Sequence, residues 1–232
     1  MTTELKLHEI QAGILVHLLM HPLARFSELN TGKIPSDQFN FHLKKLVDEG
    51  LITKEKGRYK LTPSGKEFAN RFDTDIKQIE RQAKVSVLVC CIKKRKGTLK
   101  YLIQKRLKQP YFGYHGFFGG KIRWGETVSE TASRELKEET GLRGIIKLAG
   151  VKHKMDYSED DELLEDKFFF IFTVTGLSGK LIEKSEGGEN IWLTKEEIKK
   201  LPNQFDGFDT TFKIVEAINL QFEEKKYKVK SY

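Results

Sequence analysis

The sequence predicts an α+β chain of two domains, on three observations. Apolar residues recur at helical spacing in the first fifth of the chain, apolar runs of strand type begin abruptly at Val85, and 232 residues exceed the roughly 150 of a single domain. Hydrophobic residues make up 38% and charged residues 32%, with 16 Phe to fill a core, which excludes disordered and collagen-like classes. The longest apolar runs, Val85 to Ile92 and Phe168 to Phe172, fall far short of the roughly 20 residues of a membrane helix, so no membrane partner is expected. The first ten residues carry Glu4 and Glu9 and lack the basic start of a secretory signal, so the expected compartment is cytoplasmic. Cys90 and Cys91 are strand neighbours facing opposite ways, which suits core positions and excludes a shared zinc site or a loop-closing disulfide.

In chain order, Leu7, Ile10, Ile14, Leu15, Leu18 and Leu19 define a first helix. His21-Pro22 closes it, because proline disfavours helical conformation in the residue before it. A short second helix fits Phe26 to Leu29. Pro35-Ser36-Asp37 opens a third, in which Phe39, Leu43 and Leu46 share a face and Gly50 supplies the stop. Leu51-Ile52-Thr53 and Tyr59-Lys60-Leu61 flank a Lys-Glu-Lys-Gly-Arg bend, a hairpin pattern. Thr62-Pro63 then starts a fourth helix through Ala69 toward a polar linker, Asp73 to Lys84. The expected domains are 1–83, including a linker helix, and 84–232. The formal charge of +8 divides as +2 and +6 between them, a bias toward polyanions such as nucleotides or nucleic acid.

Helix, helix, helix, hairpin, helix resembles the winged helix-turn-helix domain of bacterial repressors, with HLKKLVDEGLI to LTPSGKEFA matching their recognition-helix-to-wing segment. The resemblance implies that Ser36, Gln38, Asn40 and Lys44 face a major groove of double-stranded DNA, and that Lys54, Lys56, Arg58 and Lys60 meet phosphates from the wing. A winged helix also serves as a dimerisation module, and Phe41 and the small net charge favour that alternative, a homodimer.

The chemistry concentrates in GGKIRWGETVSETASRELKEETGL, Gly119 to Leu142. Thr127 and Glu130 form a capping-box pattern and Gly141 ends the helix. At about 100° per residue, Glu135, Glu138 and Glu139 lie within about 100° of arc. Like charges at these spacings repel, so a cation must compensate: Arg134 reaches Glu130 and Glu138 at i−4 and i+4, and a hard divalent ion, Mg2+ or Mn2+, suits carboxylate oxygens at this density.

Gly120, five residues, Glu126, seven residues, then Arg134-Glu135-Leu136-Lys137-Glu138-Glu139-Thr140-Gly141-Leu142 is similar without a mismatch to the signature box of the Nudix hydrolases. Members hydrolyse a nucleoside diphosphate linked to another moiety by attack of water on phosphorus. The resemblance implies a mixed-sheet α/β/α sandwich. It also implies metal ligation by Glu135, Glu138, Glu139 and the Gly119 carbonyl, with Arg134 positioning Glu135, Glu126 supporting the outer metal and Lys121 stabilising phosphate charge. Many members have proline before the double glycine; this chain has Phe118.

The flanking segments complete the pattern. Residues 93–108 carry eight Lys and Arg and no acid, read as two strands and their turn, with Arg106 a phosphate contact. Tyr111, Phe112, Tyr114 and Phe117 suit either base stacking or core. The block Asp156 to Asp166, with seven acids and no base, suits a solvated loop. For the acid that receives the proton from water, the candidates outside the box are Glu159 to Glu162, Glu186 and Glu189. Glu189 is the best placed, held by glycines near the start of a strand. Phe212, Val215, Ile218 and Phe222 mark a C-terminal helix.

These features lead to a pyrophosphohydrolase acting on a nucleotide-type small molecule, with ADP-ribose-like compounds preferred. The alternative is a nucleotide-sensing transcriptional regulator, similar with reversed domain order to Nudix-related repressors. Intact glutamates favour the enzyme, since a pure sensor does not require them.

Overall fold

The computed structural model describes residues 7–32, 34–73, 78–79 and 81–229. The chain divides into two compact units, Met1–Arg81 and Gln82–Tyr232.

The first unit runs α1 (Glu9–Met20), β1 (Ala24–Arg25), α2 (Phe26–Leu29), α3 (Ser36–Asp48), β2 (Ile52–Glu55), β3 (Arg58–Leu61), α4 (Pro63–Ala69), β4 (Phe72–Asp73) and β5 (Gln78–Ile79). β1, β3 and β2 form a small antiparallel sheet in that order. Ile14, Leu15 and Leu18 of α1 pack with Phe39, Leu43 and Leu46 of α3, as the i, i+4 spacing requires. Thr62 ties the hairpin to α4: its hydroxyl donates to the Gly50 carbonyl at 2.6 Å and accepts from the Gly65 N–H at 2.9 Å. Gly65 must be glycine, since a Cβ there would lie 1.8 Å from the Leu51 carbonyl oxygen. No linker helix follows among the described residues. α4 ends at Ala69, and Phe72–Asp73 pairs antiparallel with Gln78–Ile79. Residues 74–77 and 80 of the expected linker lie outside the described residues.

The second unit runs β6 (Lys84–Arg95), β7 (Thr98–Arg106), β8 (His115–Gly116), β9 (Phe118–Lys121), α5 (Val128–Thr140), β10 (Arg143–Tyr157), β11 (Leu163–Ser178), β12 (Gly188–Leu193), α6 (Lys195–Lys199), α7 (Phe208–Glu216) and β13 (Gln221–Lys228). The strand order is β12-β7-β6-β11-β10-β13, with β8 beside β7 and β9 beside β6. β6–β11 and β10–β13 are parallel and the other pairs antiparallel, so the sheet is mixed. α5 covers one face over Val87, Val89, Phe172 and Val174. α6 and α7 cover the other over Tyr101, Ile103 and Ile171. Cys90 and Cys91 are free and buried, Cys90 in the α7-side core and Cys91 in the α5-side core; burial pushes the Cys91 thiol up to about 12.

β6 has two partners on one edge. Ser86–Val89 pairs with β9, and Ile92–Arg95 pairs with β7. The sheet therefore forks, and a cavity of about 710 Å³ is bordered by both branches, by Gln104 and Arg106 of β7 and by Leu88, Gly119 and Gly120 of β6 and β9.

The C-terminal helix is shorter than its apolar spacing predicts. α7 ends at Glu216, Ile218 is 92% exposed, and Phe222 lies on β13, paired parallel with Val151 of β10. The period of three and four ran on past the last hydrogen-bonded turn, and pairing with a distant strand decided the conformation of the rest. Among the described residues, no helix is long and apolar enough to cross a membrane.

Candidate active site

α5 is fixed at both ends by its own sequence. Thr127 accepts from the Glu130 N–H at 3.2 Å while Glu130 accepts from the Thr127 N–H at 2.8 Å, and Gly141 closes the helix in the left-handed region at φ 70°. β9 runs beside its middle turns. A Cβ at Gly120 would stand 2.1 Å from Glu135 Oε1, and one at Gly119 would stand 1.9 Å from the Val87 carbonyl oxygen. The two glycines therefore admit protein atoms, one of them the Glu135 carboxylate itself. Phe118, where many relatives of the box have proline, is 2% exposed and anchors β9 in the core beneath α5.

Arg134 is the hub of the acidic cluster. Its guanidinium donates to both oxygens of Glu126 at 2.7 and 2.9 Å, to Glu135 Oε1 at 2.5 Å, to Glu138 Oε2 at 3.1 Å and to the Lys121 carbonyl at 3.2 Å. The expected pair with Glu130 does not form, because the capping box already holds that carboxylate. Glu126 takes its place, gripped bidentately and also accepting from the Thr131 hydroxyl at 2.8 Å. These bonds, led by those from Arg134, hold the Glu126 carboxyl down at about 2. Burial pushes Glu135 up, against the opposing pull of Arg134.

The remaining box acids have partners outside the hub. Glu138 is exposed and meets Arg123 at 3.4 Å. Glu139 accepts from Gln104 Nε2 at 2.9 Å, and Asn190 Nδ2 donates to the Glu139 carbonyl at 2.8 Å. Glu135, Glu138 and Glu139 all border the cavity with Gly119 and Gly120. Among the described residues, no three His, Cys, Asp or Glu side chains stand together as a ready metal site. The expected convergence is thus of helix face and not of all three carboxylates: Glu135 and Glu138 share Arg134, while Glu139 is turned to Gln104. The donor set, carboxylates at one cavity wall beside a glycine carbonyl, still fits a hard divalent cation in type.

The other expected site residues fall in three groups. Lys121 borders the cavity. Arg106 borders it too, but its guanidinium donates to the carbonyls of Pro110 at 2.6 Å and Gln109 at 3.1 Å, shaping the following loop. Glu189 does not reach the cavity: it pairs with Lys184 at 2.6 Å, while its neighbour Asn190 takes the inward position, because successive strand residues alternate faces. Glu186 is exposed on the turn whose Gly187 lies against Glu139, where a Cβ would be 3.6 Å from Oε2. Glu159 to Glu162 are exposed and away from the cavity lining. Tyr111 is buried and borders the cavity, as does Phe117, whereas Phe112 is exposed. In the first unit, Gln38, Asn40 and Lys44 are exposed on α3 and Lys56 and Arg58 on the hairpin, while Lys60 pairs with Glu55 at 2.8 Å.

Residues that the sequence did not single out complete the wall. On β10 the inward face beyond Gly150 consists of Lys152, Lys154 and Asp156, all under 9% exposed, and Glu165 and Lys167 face them from β11. The acidic block is therefore solvated mainly at its tip, Glu159 to Glu162, while Asp156 and Glu165 are buried in strands. The period-two spacing of Lys152, Lys154 and Asp156 was the available signal.

A family profile described as the NUDIX domain matches residues 82–213. The chain is 34% identical over 119 residues to an uncharacterized Nudix hydrolase of Listeria monocytogenes, covering 50% of this chain and 66% of that one. It is 31% identical over 103 residues to an ADP-ribose pyrophosphatase of Methanocaldococcus jannaschii, covering 44% and 59%. Each match thus spans less than two thirds of the relative's own length. In fold, a MutT protein from Bacillus halodurans matches with a TM-score of 0.54, 21% identity and coverage of 64% of this chain and 93% of that one. The NUDIX domain of Shewanella oneidensis NrtR, solved with ADP ribose, matches at 0.52, with 18% identity and coverage of 68% and 100%.

Glu126 supplies a pH test of the Arg134 hub. Its folded pKa of about 2 lies below the ordinary carboxylate value of about 4.5, so its contribution to stability is full above pH 4.5 and is lost as pH falls through 2. Glu126→Gln is expected to lower the urea midpoint at pH 7, with the difference from wild type shrinking as pH falls below 4.5. Tryptophan fluorescence reads this unit alone, since Trp124 and Trp192 both lie in it. A difference that grew on acidification would contradict the assignment.

Proposed function

Since this chain belongs to the NUDIX family through residues 82–213, we propose that its second unit is a divalent-metal-dependent pyrophosphohydrolase acting on a nucleoside diphosphate linked to another moiety. The observation that supports this most is the α5 acidic face, oriented by Arg134 and Gln104 at the wall of a cavity large enough for a nucleotide derivative. Glu135, Glu138, Glu139 and the Gly119 carbonyl would hold Mg2+ or Mn2+. Such ions neutralise pyrophosphate oxygens and make bound water more acidic.

The chain's own groups have distinct tasks in this reaction. Arg134 keeps Glu135 and Glu138 turned to one side, and its grip on Glu126 secures the guanidinium in turn. Gln104 and Asn190 orient Glu139 through its side chain and its carbonyl. Lys121 and Arg123 border the cavity near the glutamates and balance phosphate charge there. Water oxygen bonds to phosphorus as the bridging P–O bond breaks, and the water proton passes to a carboxylate, for which the box glutamates and Glu186 are the candidates. A nucleoside monophosphate leaves with the phosphorylated second moiety. The ADP-ribose pyrophosphatase relative supports ADP-ribose-like substrates.

The first unit supports a second role. Its order α1-β1-α2-α3-β2-β3-α4, with Gln38, Asn40 and Lys44 exposed on α3 and Lys54, Lys56 and Arg58 exposed on the hairpin, fits a winged helix docking α3 in a major groove. Operator binding would make the chain a regulator that hydrolyses the nucleotide it senses.

Two experiments test these readings. With Mg2+ and a panel of nucleoside diphosphate derivatives, the protein is expected to release monophosphates, and Glu138→Gln or Glu139→Gln to lower kcat by at least ~100-fold; an inactive wild type across the panel contradicts the enzyme. In gel shifts with genomic fragments, Lys56→Ala with Arg58→Ala is expected to weaken binding and flatten its salt dependence by about two phosphate contacts. Retention that is nonspecific and unchanged in the variant rejects the operator role.

A further inference from the structure

The sheet of the second unit ends at β13, whose one strand neighbour among the described residues is β10. The main-chain groups along its outer edge are therefore open to a further strand, a hazard that proteins blunt with proline, bulges or lysine. β13 has neither proline nor bulge, and its charges are ordered. It reads Gln221-Phe222-Glu223-Glu224-Lys225-Lys226-Tyr227-Lys228, acids in the first half and bases in the second. An in-register parallel strand of the same sequence would set like charge on like, which destabilises a sheet. An antiparallel one sets the acidic half against the basic half. Two copies of the chain related by a two-fold axis normal to the sheet produce that arrangement.

Such an axis keeps each face of the sheet on its own side, so only residues of the same parity can stand opposite one another. Glu223 and Tyr227 are turned toward Lys152, with Glu223 half-buried and 3.4 Å from its Nζ. Glu224 is turned the other way: one of its oxygens lies 2.7 Å from His153 Nδ1, and the side chain is 57% exposed. Lys225 and Lys226 lie over the rings of Tyr227 and Tyr157 at 5.2 and 5.6 Å, and neither has a carboxylate partner among the described residues. The ammonium of Lys228 is held by Asp161 at 2.9 Å. The acid open to a second copy is thus Glu224, and the unpaired base that shares its parity is Lys226.

An axis centred on Lys225 brings these two together. Glu224 then stands opposite the second copy's Lys226, Phe222, 66% exposed, lies along the stem of its Lys228, and Glu223 meets its Tyr227, each pair occurring twice. Centring on Glu224 would set that carboxylate against its own copy. Centring on Lys226 would do the same to the ammonium and leave Glu224 with the lysine that Asp161 already holds. The chosen register keeps one like-charged pair, Lys225 with its copy.

We infer that β13 is the contact between two copies of this chain, joined antiparallel about Lys225 into one continuous sheet. The surface lies outside the cavity and is independent of the reaction proposed there.

Sedimentation equilibrium of the full chain tests this. At ~100 μM the wild type is expected at twice 26.8 kDa. Glu224→Lys and Lys226→Glu each turn two attractive pairs into repulsive ones and are expected to raise the dimer Kd at least ~10-fold. Mixing the two variants sets Lys against Glu again, as does placing both substitutions in one chain, and each is expected to restore the wild-type Kd to within about threefold. That rescue separates a broken interface from a damaged fold, including any loss of the Glu224–His153 contact. Lys225→Gln removes the like-charged pair and is expected to tighten the dimer. A monomeric wild type, a dimer indifferent to both charge reversals as one through the first unit would be, weakening that mixing does not rescue, or a looser Lys225→Gln dimer overturns the proposal.

Discussion

One guanidinium makes the second unit's chemistry compatible with folding. Glu126, Glu135 and Glu138 crowd around the middle of α5, and Arg134, only 15% exposed, binds all three at once. Without it the helix would place buried and half-buried carboxylates against one another beside β9, where Gly120 leaves no room for Glu135 to retreat. Arg134 also ties α5 to β9 through the Lys121 carbonyl, so the charge balance and the helix–strand contact are a single interaction. A lysine could not replace it, because the grip on Glu126 is a two-pronged one that a point charge cannot reproduce.

The fork in the sheet gives that helix a cavity to face. β6 is shared by β9 and β7, and the two branches bring residues far apart in sequence to one wall: Gln104 and Asn190 behind Glu139, Lys84 and Lys167 beyond the glycine strand. The acids of α5 and the charged rows of β10 and β11 then border one space with different chemistry at its two ends.

Most of what is local was legible in the residues. The capping box at Thr127, the Gly141 stop and the Thr62-Pro63 helix start are read from a few neighbours and recur in the structure. What escaped depends on distant partners. Ile218 and Phe222 keep a helical period, yet the chain leaves α7 to pair with β10. Glu189 and Asn190 differ by one position, and strand parity, unknown before the register with β7, sends Asn190 to Glu139 and Glu189 to Lys184. Arg134 prefers Glu126 over Glu130 because the cap claims the latter, a competition that simple i−4 spacing does not weigh. The acids from Asp156 to Asp166 look like one solvated block, whereas the strands on either side draw Asp156 and Glu165 into the interior.

The central claim is that the α5 carboxylates, Glu135 and Glu138 now on Arg134 and Glu139 on Gln104, close on divalent ions while Arg134 keeps its hold on Glu126. Anomalous diffraction from crystals grown with Mn2+ measures this directly. The account expects manganese peaks bounded by Glu135, Glu138, Glu139 and the Gly119 carbonyl, with the Arg134–Glu126 pair intact. No peak at saturating Mn2+, with Glu135 still on Arg134 and Glu139 still on Gln104, would contradict it.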